Sequence, residues 1–282
     1  MYKVSLIICT KDRADQLVPC LNSLEKIETS HPWEIIIVNN NSTDNTQEII
    51  GNFIKNSALS MRSVFESNQG LSNARNAGWR SSTAEFICYI DDDCYPEPDF
   101  IDETVRTLEN EKKLGFIGGR VLLFDETDLP ITIQTHNERV NFKPYSVITA
   151  GMIHGANFSF RREALIAADG FDPLFGAGKK FPAEDVDIMA ELLRLGWHGA
   201  YDPAPVVYHH HGRKLPSDEV KLRKGYDIGR GAFFIKRLLK PTMKRKYFDS
   251  WRWNIMSQPL AVSRNEIYGA FIYLKDSVLG NR

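Results

Sequence analysis

The sequence predicts an α/β fold with a mostly parallel sheet covered by helices on both faces. Three observations lead there. Apolar runs rich in β-branched residues, "KVSLIICT", "WEIIIVNN" and "EFICYIDDD", are unbroken rather than alternating, as in strands buried on both sides. Stretches with helical spacing separate them. Each strand then ends in polar residues, where open parallel sheets bind ligands.

Taken in order, residues 3–10 form the first strand, and "ADQLVPCLNSLEKI" follows as a helix with Leu17, Leu21 and Leu24 on one face. "WEIIIVNN" is the second strand. "NSTDNTQEIIGNFI" opens a helix, with Ser42, Thr43 and Asp44 as candidate N-caps. "MRSVFESN" is a short strand, "GLSNARNAGWRSS" a helix and "EFICYIDDD" the fourth strand. This first half is Rossmann-like. Beyond residue 115 the pattern loosens. "LGFIGGRVLLF" is strand-like, 125–150 reads as a loop with short strands, and "NFSFRREALIAADGF" passes from strand to helix. "AEDVDIMAELLRLGW" is an amphipathic helix, and "GAYDPAPVVYHHHG" a short strand ending in histidines. From about 213 the chain is helical, basic and aromatic.

Composition narrows the function classes. A net charge of −1 over 282 residues argues against a nucleic-acid binder. Cys9, Cys20, Cys88 and Cys94 show no C-x-x-C spacing, so no disulfide framework is expected, and a reducing cytoplasm is. The apolar run in "MYKVSLIICTKDR" is too short for a signal peptide, and no run reaches the roughly 18 residues of a membrane span.

The polar clusters carry the chemistry. Thr10 and Asp12 follow the first strand, Asn39 the second, Asn68 the third, and Asp91, Asp92 and Asp93 the fourth. Adjacent carboxylates repel, and a divalent cation such as Mg²⁺ or Mn²⁺ offsets that cost while bridging to substrate phosphates. In an extended segment Asp91 and Asp93 face the same side; a solvated acidic turn is the plainer alternative. Glu184 and Asp185 open a helix, where they either cap it or act as general base. Asp187 is expected to be solvent-facing or structural. His209 and His211 share a face in an extended segment, and either offers an imidazole to a metal held by Asp93, with His209 preferred.

In order, "VSLIICTKDR", "EIIIVNNNSTDNT", "NQGLSNARNAG", "YIDDDCYPEPDFI", "GANFSFRREALIAADGFDP", "EDVDIMAELLRLGW" and "VVYHHHG" resemble a family 2 glycosyltransferase across residues 3–212. The resemblance implies a GT-A fold and inverting transfer of a sugar from a nucleotide diphosphate, with Mg²⁺ or Mn²⁺. It implies a nucleotide-sugar-binding half over 1–115, an acceptor half over 116–212 and a helical extension over 213–282. It implies donor contacts from Thr10, Asp12, Asn39, Asn68, Arg75, Asp91 and Asp92, metal at Asp93, and catalysis by Asp185 with Glu184 as the alternative base. The family commonly has aspartate where Asn39 stands, so UDP-, dTDP- and GDP-linked donors all remain open.

Residues 221–252 hold eleven Lys or Arg against Asp227 and Asp249. Three readings fit: a packed extension with solvated cations, peripheral membrane contact through 221–256 near a lipid-linked or saccharide acceptor, or a homodimer contact. Two other function classes fit part of the pattern. A sugar nucleotidyltransferase should carry a glycine-rich loop after the first strand, and "ICTKDRAD" has no glycine. A non-catalytic nucleotide-sugar binder has no need of Glu184 and Asp185. A metal-dependent nuclease fits least, for want of a basic groove.

Overall fold

The computed structural model describes residues 1–148 and 150–278. Thr149, in the 125–150 loop, and residues 279–282 of the tail lie outside the described residues. The elements run β1 (Val4–Thr10), α1 (Ala14–Leu24), β2 (Trp33–Asn39), α2 (Thr46–Asn56), β3 (Met61–Phe65), α3 (Leu71–Ser81), β4 (Phe86–Asp91), β5 (Cys94–Pro96) and α4 (Phe100–Asn110). There follow β6 (Leu114–Leu123), β7 (Val140–Phe142), β8 (Asn157–Arg161), α5 (Arg162–Ala168), α6 (Glu184–Arg194), β9 (His198–His209), α7 (Pro216–Leu239), α8 (Lys244–Ser257) and α9 (Leu260–Val278).

Among the described residues one mixed sheet runs β3-β2-β1-β4-β8-β6-β9-β5, with β7 beside β9. The unbroken apolar runs have a direct cause. Strand alternation sends Leu6, Ile8, Ile35 and Ile37 into one core, and Ile7, Ile36, Val38 and Ile87 into the core on the other face. Both faces are therefore buried.

The sheet is parallel through β3, β2, β1 and β4 but not throughout. Strand β8 runs antiparallel to both β4 and β6. The reversal places Asn157 opposite Ile90, which brings the start of β8 to the edge where β4 ends in aspartates. Strand β9 is twelve residues long rather than short, and it carries His209 to the same edge opposite Cys94. Helix α2 starts at Thr46, later than the expected caps, although Asp44 Oδ1 accepts the Thr46 amide at 3.0 Å.

The extension is three packed helices. A Cβ on Gly231 would lie 1.8 Å from Glu266 O, and one on Gly269 2.0 Å from Ile228 O, so these glycines let α7 and α9 touch backbone to backbone. Phe234 stacks on Trp251 with centroids 5.7 Å apart. Among the described residues, no helix is long and apolar enough to cross a membrane.

The basic stretch differs from a solvated face. Lys236 Nζ sits 2.6 Å from Asp187 and 2.7 Å from Asp172. Arg237 pairs with Asp187 and with Glu191, the latter at 2.6 Å. Asp187 is thus a buried structural group that ties α6 to α7, not a solvent-facing one. Burial opposes its ionisation, but Arg237 and Lys236 outweigh that and hold its pKa below the ordinary 3.8. Its contribution is therefore complete above that ordinary value and is lost as pH falls through the depressed one.

Asp187→Asn should remove the carboxylate that two buried cations share, leaving Lys236 to Asp172 and Arg237 to Glu191. We expect a loss of about 1–3 kcal/mol in urea unfolding at pH 7, shrinking as the wild type is acidified through the aspartate range. Equal stability of the two proteins at pH 7 would show that the clamp contributes nothing.

Candidate active site

The ends of β1, β4 and β9 and the start of α6 surround one cavity of about 1180 Å³. Thr10, Arg75, Asp91, Asp92, Asp93, Glu184, Asp185 and His209 all line it. The chain's middle and its tail reach it too, through His154, Arg213 and Tyr226.

Asp91 is the last residue of β4, opposite Cys9 of β1. Asp92 and Asp93 form the turn into β5 rather than an extended segment, yet all three face the cavity. Three cations balance them. Arg75 Nη2 lies 3.5 Å from Asp91 Oδ1. Arg13 places Nε 3.0 Å from Asp92 Oδ1 and donates from Nη2 to Asp93 Oδ2 at 2.6 Å. His209 Nε2 stands 3.3 Å from Asp93 Oδ1.

Their protonation follows from those neighbours. Burial pushes Asp92 up to about 7 despite Arg13. Burial also raises Asp91, against the pull of Arg75. Burial opposes ionisation of Asp93, but His209 and Arg13 outweigh it and the pKa falls. His209 moves the other way: burial lowers it, Asp93 more than restores it, and the net shift is upward. Asp93 and His209 thus each favour the charged form of the other.

These residues suit a hard divalent cation. Ligand atoms of Asp93, Cys94 and His209 lie within 4.8 Å of one another. Asp93 Oδ1 is buried and faces His209 Nε2 at 3.3 Å, so the carboxylate oxygen and ring nitrogen a metal would need already stand side by side. Oxygen with imidazole matches Mg²⁺ or Mn²⁺. The buried Cys94 thiol, its pKa pushed well up by desolvation, stays neutral and is a poor ligand for either. A second group, Asp125, Asp128 and His210, already holds Lys214 Nζ at 2.9 Å from Asp125 Oδ2.

Glu184 and Asp185 open α6 behind Ala183, which sits at φ 150°, a backbone conformation non-glycine residues rarely adopt. The two acids have different partners. Glu184 Oε1 accepts from Arg75 Nη1 at 2.7 Å. Among the described residues Asp185 accepts only backbone amides, Val186 N at 2.7 Å and Gly155 N at 3.2 Å. Burial, then Glu184, raise Asp185 to about 7. Of the pair, Asp185 is the one left free to take a proton.

Arg75 is 2% exposed and lies over the Phe158 ring at 4.7 Å. It also donates to Gly155 O at 3.1 Å. It is therefore held by protein groups on the cavity wall, where sequence suggested a hand extended to the donor.

Four sequence candidates do not line the cavity. Asp12 accepts from Thr43 N at 2.6 Å and from Lys11, which together with backbone bonding lower it to about 2. Asn39 is spent on Gln47 at 2.8 Å and on Ser42 N at 2.9 Å. Asn68 is the backbone anchor of Asn40, whose Nδ2 donates to Asn68 O at 2.8 Å. His211 turns to Leu129 O at 3.1 Å and Asp128 at 3.6 Å, away from Asp93. Arg13 was missed by sequence reasoning, although it lies in the quoted "CTKDR" loop. Tyr226 and His154 were missed as well. His154 is neutral, lowered to about 4 by burial and by His209.

Comparison with known proteins gives the family and the fold. The model for Glycosyl transferase family 2 matches residues 5–167. The chain is 27% identical over 184 residues to the probable glycosyltransferase YdaM of Bacillus subtilis, covering 62% of this chain and 42% of that one. It is 28% identical over 132 residues to the poly-beta-1,6-N-acetyl-D-glucosamine synthase of Staphylococcus epidermidis, covering 47% and 32%. The chain thus spans less than half the length of these curated relatives. Among solved structures, the mannosyltransferase PcManGT from Pyrobaculum calidifontis, in complex with GDP-Man and Mn²⁺, superposes with TM-score 0.66 at 16% identity, covering 97% and 81%. TarS 1-349 of S. aureus in complex with UDP-GlcNAc gives 0.65 at 15% identity, covering 95% and 79%. At such identities the likeness shows the fold, GT-A. With the family model covering more than half of the chain, the protein belongs to glycosyl transferase family 2.

Proposed function

We propose that the protein is an inverting, divalent-metal-dependent glycosyltransferase acting in polysaccharide or glycoconjugate synthesis. The observation that carries this is one cavity faced by both Asp91–Asp93 and a proton-accepting Asp185. A nucleotidyltransferase or a passive binder gives no role to a buried, amide-oriented carboxylate poised near neutrality. The relatives and structural neighbours are named as transferases and synthases, and two neighbours hold GDP-Man or UDP-GlcNAc.

In this reading residues 1–115 bind the nucleotide sugar, 116–212 supply the base and part of the acceptor wall, and α7 and α8 of the extension line the rest of the cavity. Asp93 and His209 hold Mg²⁺ or Mn²⁺, which when bound supplies positive charge against the departing diphosphate. Thr10, Asp91 and Asp92 face the donor. Arg75 fixes Glu184 and Asp91 rather than reaching the diphosphate. Asp185 takes the proton of the acceptor hydroxyl while that oxygen bonds to the anomeric carbon. The bond from that carbon to the diphosphate oxygen breaks, and its electron pair leaves with the nucleotide. Attack from the opposite face inverts the centre with no covalent sugar–enzyme intermediate.

Three outcomes follow. Asp93→Ala should lose Mn²⁺-dependent binding of UDP- or GDP-sugars in calorimetry by at least about tenfold; undiminished binding would remove Asp93 from the metal site. Asp185→Asn should bind donor within about twofold of wild type yet lose transfer by about 10²–10⁴. In the wild type kcat/KM should fall as pH drops below about 7, because the raised pKa protonates the base there. A donor-binding Asp185→Asn that transfers at the wild-type rate would displace Asp185 as base.

A further inference from the structure

The cavity of about 1180 Å³ exceeds the roughly 300–1,000 Å³ of a typical single-ligand pocket. Its far wall lies outside the segment matched by the family model, in α7 and α8. Helix α8 presents two neighbouring faces. Tyr247 and Trp251 pack inward against Phe234. Next to them Ser250, Asn254 and Gln258, spaced four apart, line the cavity. Ser250 and Asn254 are neighbours on one face of the helix, and Gln258 follows as the extended residue just past its end. The three are neutral, and each can donate and accept hydrogen bonds. Gln258 Nε2 reaches Ser263 Oγ at 3.3 Å. The Ser250 hydroxyl and the Asn254 carboxamide make no side-chain hydrogen bond among the described residues.

Helix α7 adds Tyr226 to the wall, together with Asp218, Lys221 and Arg230. Tyr226 is 42% exposed although it lines the cavity, so the ring has a free face. Burial, then Asp185 and Glu184, push its pKa up to about 12, which puts the phenol within the field of those carboxylates. The wall is also fixed to the catalytic loop. A Cβ on Gly229 would lie 1.6 Å from Pro182 O, so α7 rests directly on the residues that lead into Glu184 and Asp185.

Resting on the transferase reading above, we propose that α7 and α8 form the acceptor subsite, and that it takes the hydroxyl-rich terminal sugar of a saccharide. The Ser250–Asn254–Gln258 set bonds the ring hydroxyls, and the Tyr226 ring packs against the sugar's apolar face near Asp185. A set of neutral donors and acceptors suits uncharged hydroxyls, each of which both gives and takes a hydrogen bond.

Saturation-transfer NMR with the full chain, UDP or GDP and Mn²⁺ tests this, using cellobiose, maltose, lactose and chitobiose as probes. At least one disaccharide should receive saturation at millimolar concentration. The double variant Ser250→Ala/Asn254→Leu should weaken that binding by about tenfold or more, and Tyr226→Ala should do likewise. Nucleotide–Mn²⁺ affinity, measured on the same samples, should stay within about twofold for both variants, which also reports that they fold. If nucleotide binds but no disaccharide does, or if the variants hold the disaccharide as wild type does, the subsite is not there. If wild type binds no nucleotide with Mn²⁺, the transferase reading itself fails.

Discussion

Arg75 is the cation on which the cavity depends. Its guanidinium is shared between Asp91, at the end of a strand in the first half, and Glu184, at the start of a helix in the second. A buried charge is tolerable only when paired and hydrogen-bonded. Here Glu184, Asp91 and Gly155 O supply those partners, and the Phe158, Phe171 and Tyr89 rings surround the cation. The consequence is geometric. Two acid clusters 93 residues apart in sequence are held on one wall, and Glu184, by engaging Arg75, leaves Asp185 beside it as the protonatable member.

The remaining charge balance is of a different kind. Arg13 is 38% exposed at its side chain and comes from the loop after β1, so it is free to move in a way that Arg75 is not. It neutralises Asp92 and Asp93 from one side while His209 faces Asp93 from the other. A divalent cation at Asp93 and His209 would take over that neutralising task and release Arg13 toward an incoming anion. The tail adds a second layer, because Lys236 and Arg237 lock α7 to α6 and so set the wall opposite the acids.

Much of this was legible in the sequence, for physical reasons. Strands buried on both faces are apolar at nearly every position, so "LIIC" and "IIIV" could hardly be anything else. Asp91–Asp93, Glu184–Asp185 and His209 stood out because polar residues at the ends of apolar elements need an explanation. What sequence could not show is direction and partnership. A short strand such as "NFSFR" does not say which way it runs against its neighbours. Asn39, Asn68, Asp12 and His211 sit at the right places along the chain, but loop turns aim them at Ser42, Glu66, Thr43 and Asp128 instead of the cavity. Asp187 meets Arg237 across 50 residues, a pairing no local pattern encodes.

The acidic cavity is balanced by Arg13 and faced by His209 where a metal is proposed to act. Anomalous diffraction from crystals soaked with Mn²⁺ and UDP tests that placement. A manganese peak bonded to Asp93 and His209 is expected, with the Arg13 guanidinium displaced from Asp93 Oδ2. Manganese found only at Asp125, Asp128 and His210, or nucleotide bound while Arg13 still holds Asp93 and no metal is present, would contradict it.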